Sequence, residues 1–189
     1  MDNKIIIVSA PSGAGKTTIV NKIMEMNAFN LEFSISACTR TKRDTEKNGV
    51  NYYFISVAEF KEKIASDAFI EWEEVYTGRY YGTLKSEITR IWNKQHNIIF
   101  DVDVAGGISI KNLYPDKAIS IFIMPPSVSE LRNRLMNRST DSEQEINMRV
   151  AKANKEIEMA KYFDYQIIND NLDIAVEKVS GLLTRFLKK

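Results

Sequence analysis

Ile5-Ile6-Ile7-Val8-Ser9-Ala10-Pro11-Ser12-Gly13-Ala14-Gly15-Lys16-Thr17-Thr18 decides the fold. Its first four residues are β-branched and uninterrupted, which fits a strand buried on both faces. Ala10 to Thr17 then has the spacing of a phosphate-binding loop, except that Ala10 stands where the first glycine is usual. That departure is harmless only if the position needs a negative φ. Gly13 and Gly15 let backbone N–H groups close around phosphate oxygens. Ile19, Val20, Ile23 and Met24 recur at helical spacing, so a helix opens near Lys16 and adds its dipole. In such a loop the lysine, Lys16, reaches the β and γ phosphates of a nucleoside triphosphate, and the Thr17 hydroxyl ligates Mg²⁺.

The same strand-then-helix grammar returns further along the chain. Asn97 to Val102 reads as a strand, followed by a helical segment from Val104 to Leu113 that contains Gly106-Gly107. Ala118 to Met124 is a strand stopped by Pro125-Pro126. Ser127 or Ser129 caps the next helix, with Leu131 and Leu135 on its inner face. Tyr165 to Asn169 is a further strand, and Leu172 to Phe186 carries the apolar stripe of a closing amphipathic helix. Strands alternating with helices predict an α/β fold of three layers around a central parallel sheet.

Two stretches break that pattern. Residues 34–84 are rich in aromatic, strand-like pieces, such as Tyr52-Tyr53-Phe54 and Phe69-Ile70-Glu71-Trp72. They predict a small, mostly β insertion with one helix near Val57 to Ala65. Residues 127–150 are polar and basic and predict a mobile helical lid. The core is then 1–33, 85–126 and 151–189.

Composition narrows the function classes. The 189 residues are 44% hydrophobic and 27% charged, an ordinary globular balance. Lys plus Arg total 26 and Asp plus Glu 25, so a net charge of +1 does not suggest a broad nucleic-acid or membrane surface. One cysteine, Cys38, excludes an internal disulfide framework and a cysteine-based zinc site. With no partner it reads as packing. His96 is the single histidine, in a loop, which argues against histidine-centred hydrolysis. No apolar run approaches membrane length, so the expectation is a cytoplasmic protein, monomer or homodimer, whose partners are small molecules.

A phosphate loop names the donor and leaves the acceptor open. A GTPase or motor needs switch loops that orient water, whereas a small-molecule kinase needs an acceptor pocket and a flap that excludes water. The insertion and the basic lid supply those. Arg40 and Arg43 flank a short loop and suit bidentate clamping of a phosphate, although by type alone they also suit a solvated basic turn. Tyr52 and Tyr81 carry phenol donors, or are core. Glu71, in an apolar strand, can accept two N–H bonds from a ligand, or face outward. Asp101 and Asp103 share a face at the end of a strand, where ligands collect in open parallel sheets; a strand-end turn also explains them.

In sequence, the chain resembles guanylate kinase over nearly all its length. The resemblance rests on the phosphate loop, Ser36-Ala-Cys-Thr-Arg40-Thr-Lys-Arg43, Gly49-Val-Asn-Tyr52, Phe69-Ile-Glu71-Trp72 and Tyr80-Tyr81-Gly82-Thr83. Asp101-Val-Asp103, Pro125-Pro126-Ser127 and Ile168-Asn169-Asp170 extend it. It implies ATP-dependent phosphorylation of GMP, and of dGMP, with Mg²⁺. It places ATP on Ala10, Pro11, Ser12, Gly13, Ala14, Gly15, Lys16, Thr17 and Thr18, with Arg134 and Asn169 near the adenine. It places guanine on Ser36, Glu71 and Thr83, and the GMP phosphate on Arg40, Arg43, Tyr52 and Tyr81. Asp103 falls near the acceptor nucleotide, and Asp101 joins Thr17 at Mg²⁺ through water. Lys16, Arg43, Arg138 and Arg149 carry catalysis, the last two on the transferring phosphates; Arg132 reads as solvated. Lys42 stands where the family often has proline, Cys38 replaces a usual hydroxyl, and Ala105 stands where glutamine is usual. Non-catalytic relatives typically lose the phosphate lysine or the lid arginines, and this chain keeps Lys16, Thr17, Arg138 and Arg149. A kinase for another base is disfavoured by Ser36, Glu71 and Thr83 together.

Overall fold

A computed structural model describes residues 3–137 and 142–188. In chain order the elements are β1 (Ile5–Ser9), α1 (Lys16–Glu25), β2 (Leu31–Phe33), β3 (Ala37–Cys38), β4 (Tyr53–Phe54), α2 (Val57–Ala65), β5 (Phe69–Tyr76) and β6 (Arg79–Leu84). Then come α3 (Lys85–Trp92), β7 (Asn97–Asp101), α4 (Val104–Leu113), β8 (Ala118–Met124), α5 (Val128–Met136) and α6 (Glu143–Glu158). A 3₁₀ turn (Met159–Tyr162), β9 (Tyr165–Ile168) and α7 (Leu172–Leu187) close the chain.

Five strands form one parallel sheet in the order β2-β7-β1-β8-β9, so the strand that leads into the phosphate loop lies at its centre. Every residue of β1 is buried, as its unbroken apolar run requires. Alternate side chains enter opposite layers. Ile6 and Val8 pack with α1, α5 and α7, whereas Ile5 and Ile7 pack with α3, α4 and the 3₁₀ turn. Each fully buried isoleucine contributes about 1.5–3 kcal/mol relative to an exposed one, so the middle layer anchors both cores.

Residues 34–84 hold a second, four-stranded sheet in the order β4-β3-β6-β5, with β5 and β6 antiparallel. Helix α2 spans the stretch expected from the sequence, and the Ser56 hydroxyl accepts from Glu59 N–H at its start. This sheet has its own small core of Ala37, Phe60, Phe69 and Tyr80, with the two phenylalanine rings stacked at 4.3 Å.

The segment expected as a lid packs on the main core, with Leu131 and Leu135 on the inner face as its spacing implies. Leu131, Leu135 and Ile146 are buried in the same core as Ile6 and Val8. Ser127 caps α5, and Ser142 with Glu145 forms a capping box on α6. Helix α6 runs on to Glu158, so residue 150 falls inside a helix rather than at a boundary. His96 is part of an ion-pair network at the β2 edge, where its Nδ1 lies 2.9 Å from Glu32 Oε2. Burial would raise the Glu32 carboxyl, but hydrogen bonds from Lys94, His96 and Arg90 outweigh it and hold the group at about 2. No helix among the described residues is long and apolar enough to cross a membrane.

Candidate active site

The phosphate loop leaves β1 at Ser9, whose hydroxyl donates to Val102 O at 3.0 Å and Asp103 O at 2.9 Å. These bonds hold the ends of β1 and β7 side by side, in the register Val8↔Asp101. Gly13 and Gly15 both take positive φ, 95° and 93°. Gly15 is the N-cap of α1, and a Cβ there would lie 2.3 Å from Asn169 Nδ2. Among the described residues the non-glycine positions with positive φ are Asn27, Asn30, Asp67 and Gln95, so Ala10 meets the condition that its backbone sets. Ala10, Pro11, Ser12, Gly13, Gly15, Lys16, Thr17 and Thr18 line one cleft of about 490 Å³. Ala14 is fully buried behind the loop.

Lys16 Nζ forms an ion pair with Asp101 and donates to Val102 O at 3.0 Å. The Thr17 hydroxyl donates to Asp101 Oδ2 at 3.4 Å. A hydroxyl and a carboxylate, both hard oxygen donors, meet at the helix start. That donor set fits Mg²⁺, which keeps several waters and takes substrate phosphates as its remaining ligands. No cluster of three or more acidic, histidine or cysteine ligands occurs among the described residues, so the protein offers no closed metal cage.

The far wall of the cleft comes from β5 and β6. Across this antiparallel pair Glu71 faces Thr83 and Glu73 faces Tyr81. Thr83 Oγ1 donates to Glu71 Oε1 at 2.6 Å. Burial pushes the Glu71 carboxyl up to about 7, against the lowering effect of that hydrogen bond. Gly106 makes room for it, because a Cβ at Gly106 would lie 2.7 Å from Glu71 Oε2. This is why α4 tolerates a glycine in its first turn. Asp103 caps the same helix, its Oδ1 accepting from Gly106 N–H at 2.7 Å. A hydrogen bond with Asp103, then burial, pushes the Glu73 carboxyl up to about 7.

The structure brings most of the expected residues together and sets some apart. Ser36, Tyr52, Glu71, Tyr81, Asp101 and Asp103 line the cleft, with the Tyr52 and Tyr81 rings edge to face at 6.1 Å. Thr83 acts through Glu71. Arg40 is held in a two-pronged pair with Glu46, at 2.7 and 2.5 Å, and lies 5.0 Å over the Tyr52 ring. The Arg43 N–H also donates to Glu46, at 2.8 Å. Neither arginine lines the cleft, because Glu46 folds their loop onto itself. Asn169 is buried, its amide donating to Ala14 O at 2.7 Å, while Arg134 donates to Asn169 O at 3.1 Å. Both stand behind the loop. Arg149 Nη1 reaches Ser12 Oγ at 3.2 Å and carries the lid to the loop. Arg132 instead donates to Asn147 at 2.6 Å within the lid. Arg138 lies outside the described residues.

Glu73, Arg79, Lys152 and Glu156 also line the cleft and were not singled out from sequence. Two signals point to Glu73, Lys152 and Glu156. A strand that turns Glu71 inward also turns in Glu73, two residues on. A helix that carries Arg149 to the loop presents Lys152 and Glu156 on the same face. Lys152 Nζ lies 3.9 Å from Glu73 and 3.8 Å from Glu156.

A loop built for phosphates and a half-buried carboxylate thus line one cleft, and the chain is similar to known proteins over nearly its whole length. The family model described as guanylate kinase matches residues 2–186. A guanylate kinase from Porphyromonas gingivalis is 50% identical over 186 residues, covering 98% of this chain and 99% of the relative. One from Bacteroides thetaiotaomicron is 48% identical and covers 100% and 92%. The crystal structure of guanylate kinase from Anaplasma phagocytophilum superposes with a TM-score of 0.79 at 29% identity, covering 99% of this chain and 87% of that one. With a family match across nearly every residue, and the donor loop and acceptor wall both present, this chain belongs to the guanylate kinase family.

Proposed function

We propose that the cleft holds ATP on the phosphate loop and GMP on the β5–β6 wall, and that the γ-phosphoryl group passes directly between them. Guanylate kinases phosphorylate GMP to GDP with ATP, and this chain is an enzyme of that family. The observation that carries the residue assignments is the Glu71–Thr83 pair, in which buried Thr83 holds a half-buried carboxylate that lines the same cleft as Lys16. Glu71 accepts from guanine N1–H and N2–H₂. Tyr52, Tyr81, Arg40 and Arg43 take the GMP phosphate, Arg40 exchanging Glu46 for it. Lys16 exchanges Asp101 for the β and γ phosphates. Thr17 and Asp101 would hold Mg²⁺, which would neutralise charge on the phosphate oxygens. No general base is needed, because the GMP phosphate is already an anionic nucleophile; positioning and charge neutralisation carry the rate. Residues 34–84 act as the GMP-binding insertion and the helices after residue 127 as the lid. Their closure keeps water from the γ-phosphoryl group.

A coupled ADP-release assay against GMP, AMP, UMP and CMP tests this. Adenine lacks the N1–H and N2–H₂ donors and leaves the Glu71 carboxylate unpaired, a cost of about 1–3 kcal/mol or more. GMP is therefore the preferred acceptor by roughly 5–150-fold or more in kcat/KM over AMP. Equal efficiency with AMP overturns the guanine assignment.

GMP affinity also depends on pH, with a definite sign. The free Glu71 carboxyl sits at about 7, and guanine requires the ionised form. Affinity is full well above that value and weakens by about tenfold per unit as pH falls below it. The GMP phosphate itself gains a proton near about pH 6, so the non-titrating Glu71→Gln variant is the reference. Calorimetry between about pH 6 and 8 should show a steeper loss for the native protein than for Glu71→Gln. Parallel slopes sink the prediction.

A further inference from the structure

Glu73 is a carboxyl in the cleft that the scheme above does not use. Its position is fixed by strand register. Glu71 and Thr83 form one cross-strand level, and Glu73 and Tyr81 form the next. Residues directly opposite on an antiparallel pair share a face, so all four point the same way. Two residues of strand advance about 7 Å, comparable to the span of a purine from its pairing edge to its sugar. Glu73 lines the cleft and hydrogen-bonds Asp103, itself held by Gly106 N–H. Lys152 of α6 approaches it from the lid side at 3.9 Å.

The chemistry of a nucleoside monophosphate leaves one group for Glu73. The base edge is matched by Glu71 and Thr83 one level away. The phosphate is excluded, because two anions in contact repel. The sugar remains, with two neighbouring hydroxyl donors that need acceptors. We propose that Glu73, beside Asp103, accepts hydrogen bonds from the ribose hydroxyls of the acceptor nucleotide and sets the enzyme's preference for a ribonucleotide over a deoxyribonucleotide. This rests on the assignment of GMP to the β5–β6 wall. Glu73 is a binding and specificity residue; it takes no part in bond making. Its second neighbour, Lys152, offers the competing role of a lid contact, and the test separates the two.

Steady-state kcat/KM is measured with GMP, 2′-deoxy-GMP and 3′-deoxy-GMP for the native protein, Glu73→Ala, Glu73→Gln and Lys152→Ala. The native enzyme should prefer GMP over one or both deoxy analogues. Glu73→Ala should reduce that preference by about tenfold or more, the size of a lost hydrogen bond to a charged group, with the loss falling on GMP more than on the analogues. Glu73→Gln, which keeps one acceptor, should fall between. Lys152→Ala should leave the ratios as they are. Thermal melting of each variant separates loss of fold from loss of preference. No preference in the native enzyme, unchanged ratios in Glu73→Ala, or a Lys152→Ala shift as large as that of Glu73→Ala overturns the proposal. Failure of the native protein to phosphorylate GMP at all is a distinct result; it overturns the acceptor assignment on which the proposal stands.

Discussion

Lys16→Ala is expected to lower turnover by on the order of 10³-fold or more while the protein stays folded. The magnitude follows from what the ammonium does. Charge spreads over the phosphoryl oxygens as the group transfers, and a fixed cation there stabilises the transition state more than the ground state. The fold should survive for a local reason. Lys16 is the first residue of α1, a position that alanine suits. The substitution does strip Asp101 of its ion-pair partner, in a carboxylate whose side chain is only 16% exposed. A modest fall in melting temperature is therefore part of the expected result. Steady-state assay and thermal melting on the same preparation check both halves. Near-native turnover overturns the assignment of the loop.

Arg149→Ala should show the same scale of loss in kcat, of order 10³-fold for a full arginine contact, with GMP affinity changed far less. The motive is placement. Arg149 sits on α6, the helix that reaches across the cleft, and its guanidinium touches Ser12 in the middle of the phosphate loop. On the proposed assignment this cation meets the transferring phosphoryl group, where charge builds in the transition state, so its contribution appears in kcat. Arg132→Ala is the control. That side chain is tied to Asn147 and lies near Glu143, which joins α5 to α6 without entering the cleft. Turnover and calorimetric GMP binding are measured for both variants. If Arg149→Ala matches the control, or loses only GMP affinity, the assignment fails.

Much of the fold is legible because it rests on short-range pattern. A strand buried on both faces must be apolar throughout, and β1, β7 and β8 are close to that. The phosphate loop is legible because glycine, lysine and threonine have fixed jobs at fixed offsets. Other parts depend on which distant residue lies opposite. Glu71, Glu73 and Glu74 lie close together in one strand, and composition does not say that the first two face inward; the register with Thr83 and Tyr81 does. Lys152 and Glu156 enter the cleft only because α6 docks through Ile146 and Ala153 on the main core. Arg40 and Arg43 look free in the sequence because Glu46, three residues beyond the second, reveals itself as their partner only when the loop folds back.

The bond from Asn169 to Ala14 spans 155 positions of the chain. It closes the back of the phosphate loop with a residue that follows the last strand of the sheet. On the ribosome, the loop sequence emerges 155 positions ahead of the side chain that closes it. Until β9 has been made and has docked beside β8, no side chain stands behind Gly15, and the nascent chain holds the letters of a nucleotide site without its geometry. The phosphate-loop signature is thus written well before the geometry that gives it meaning.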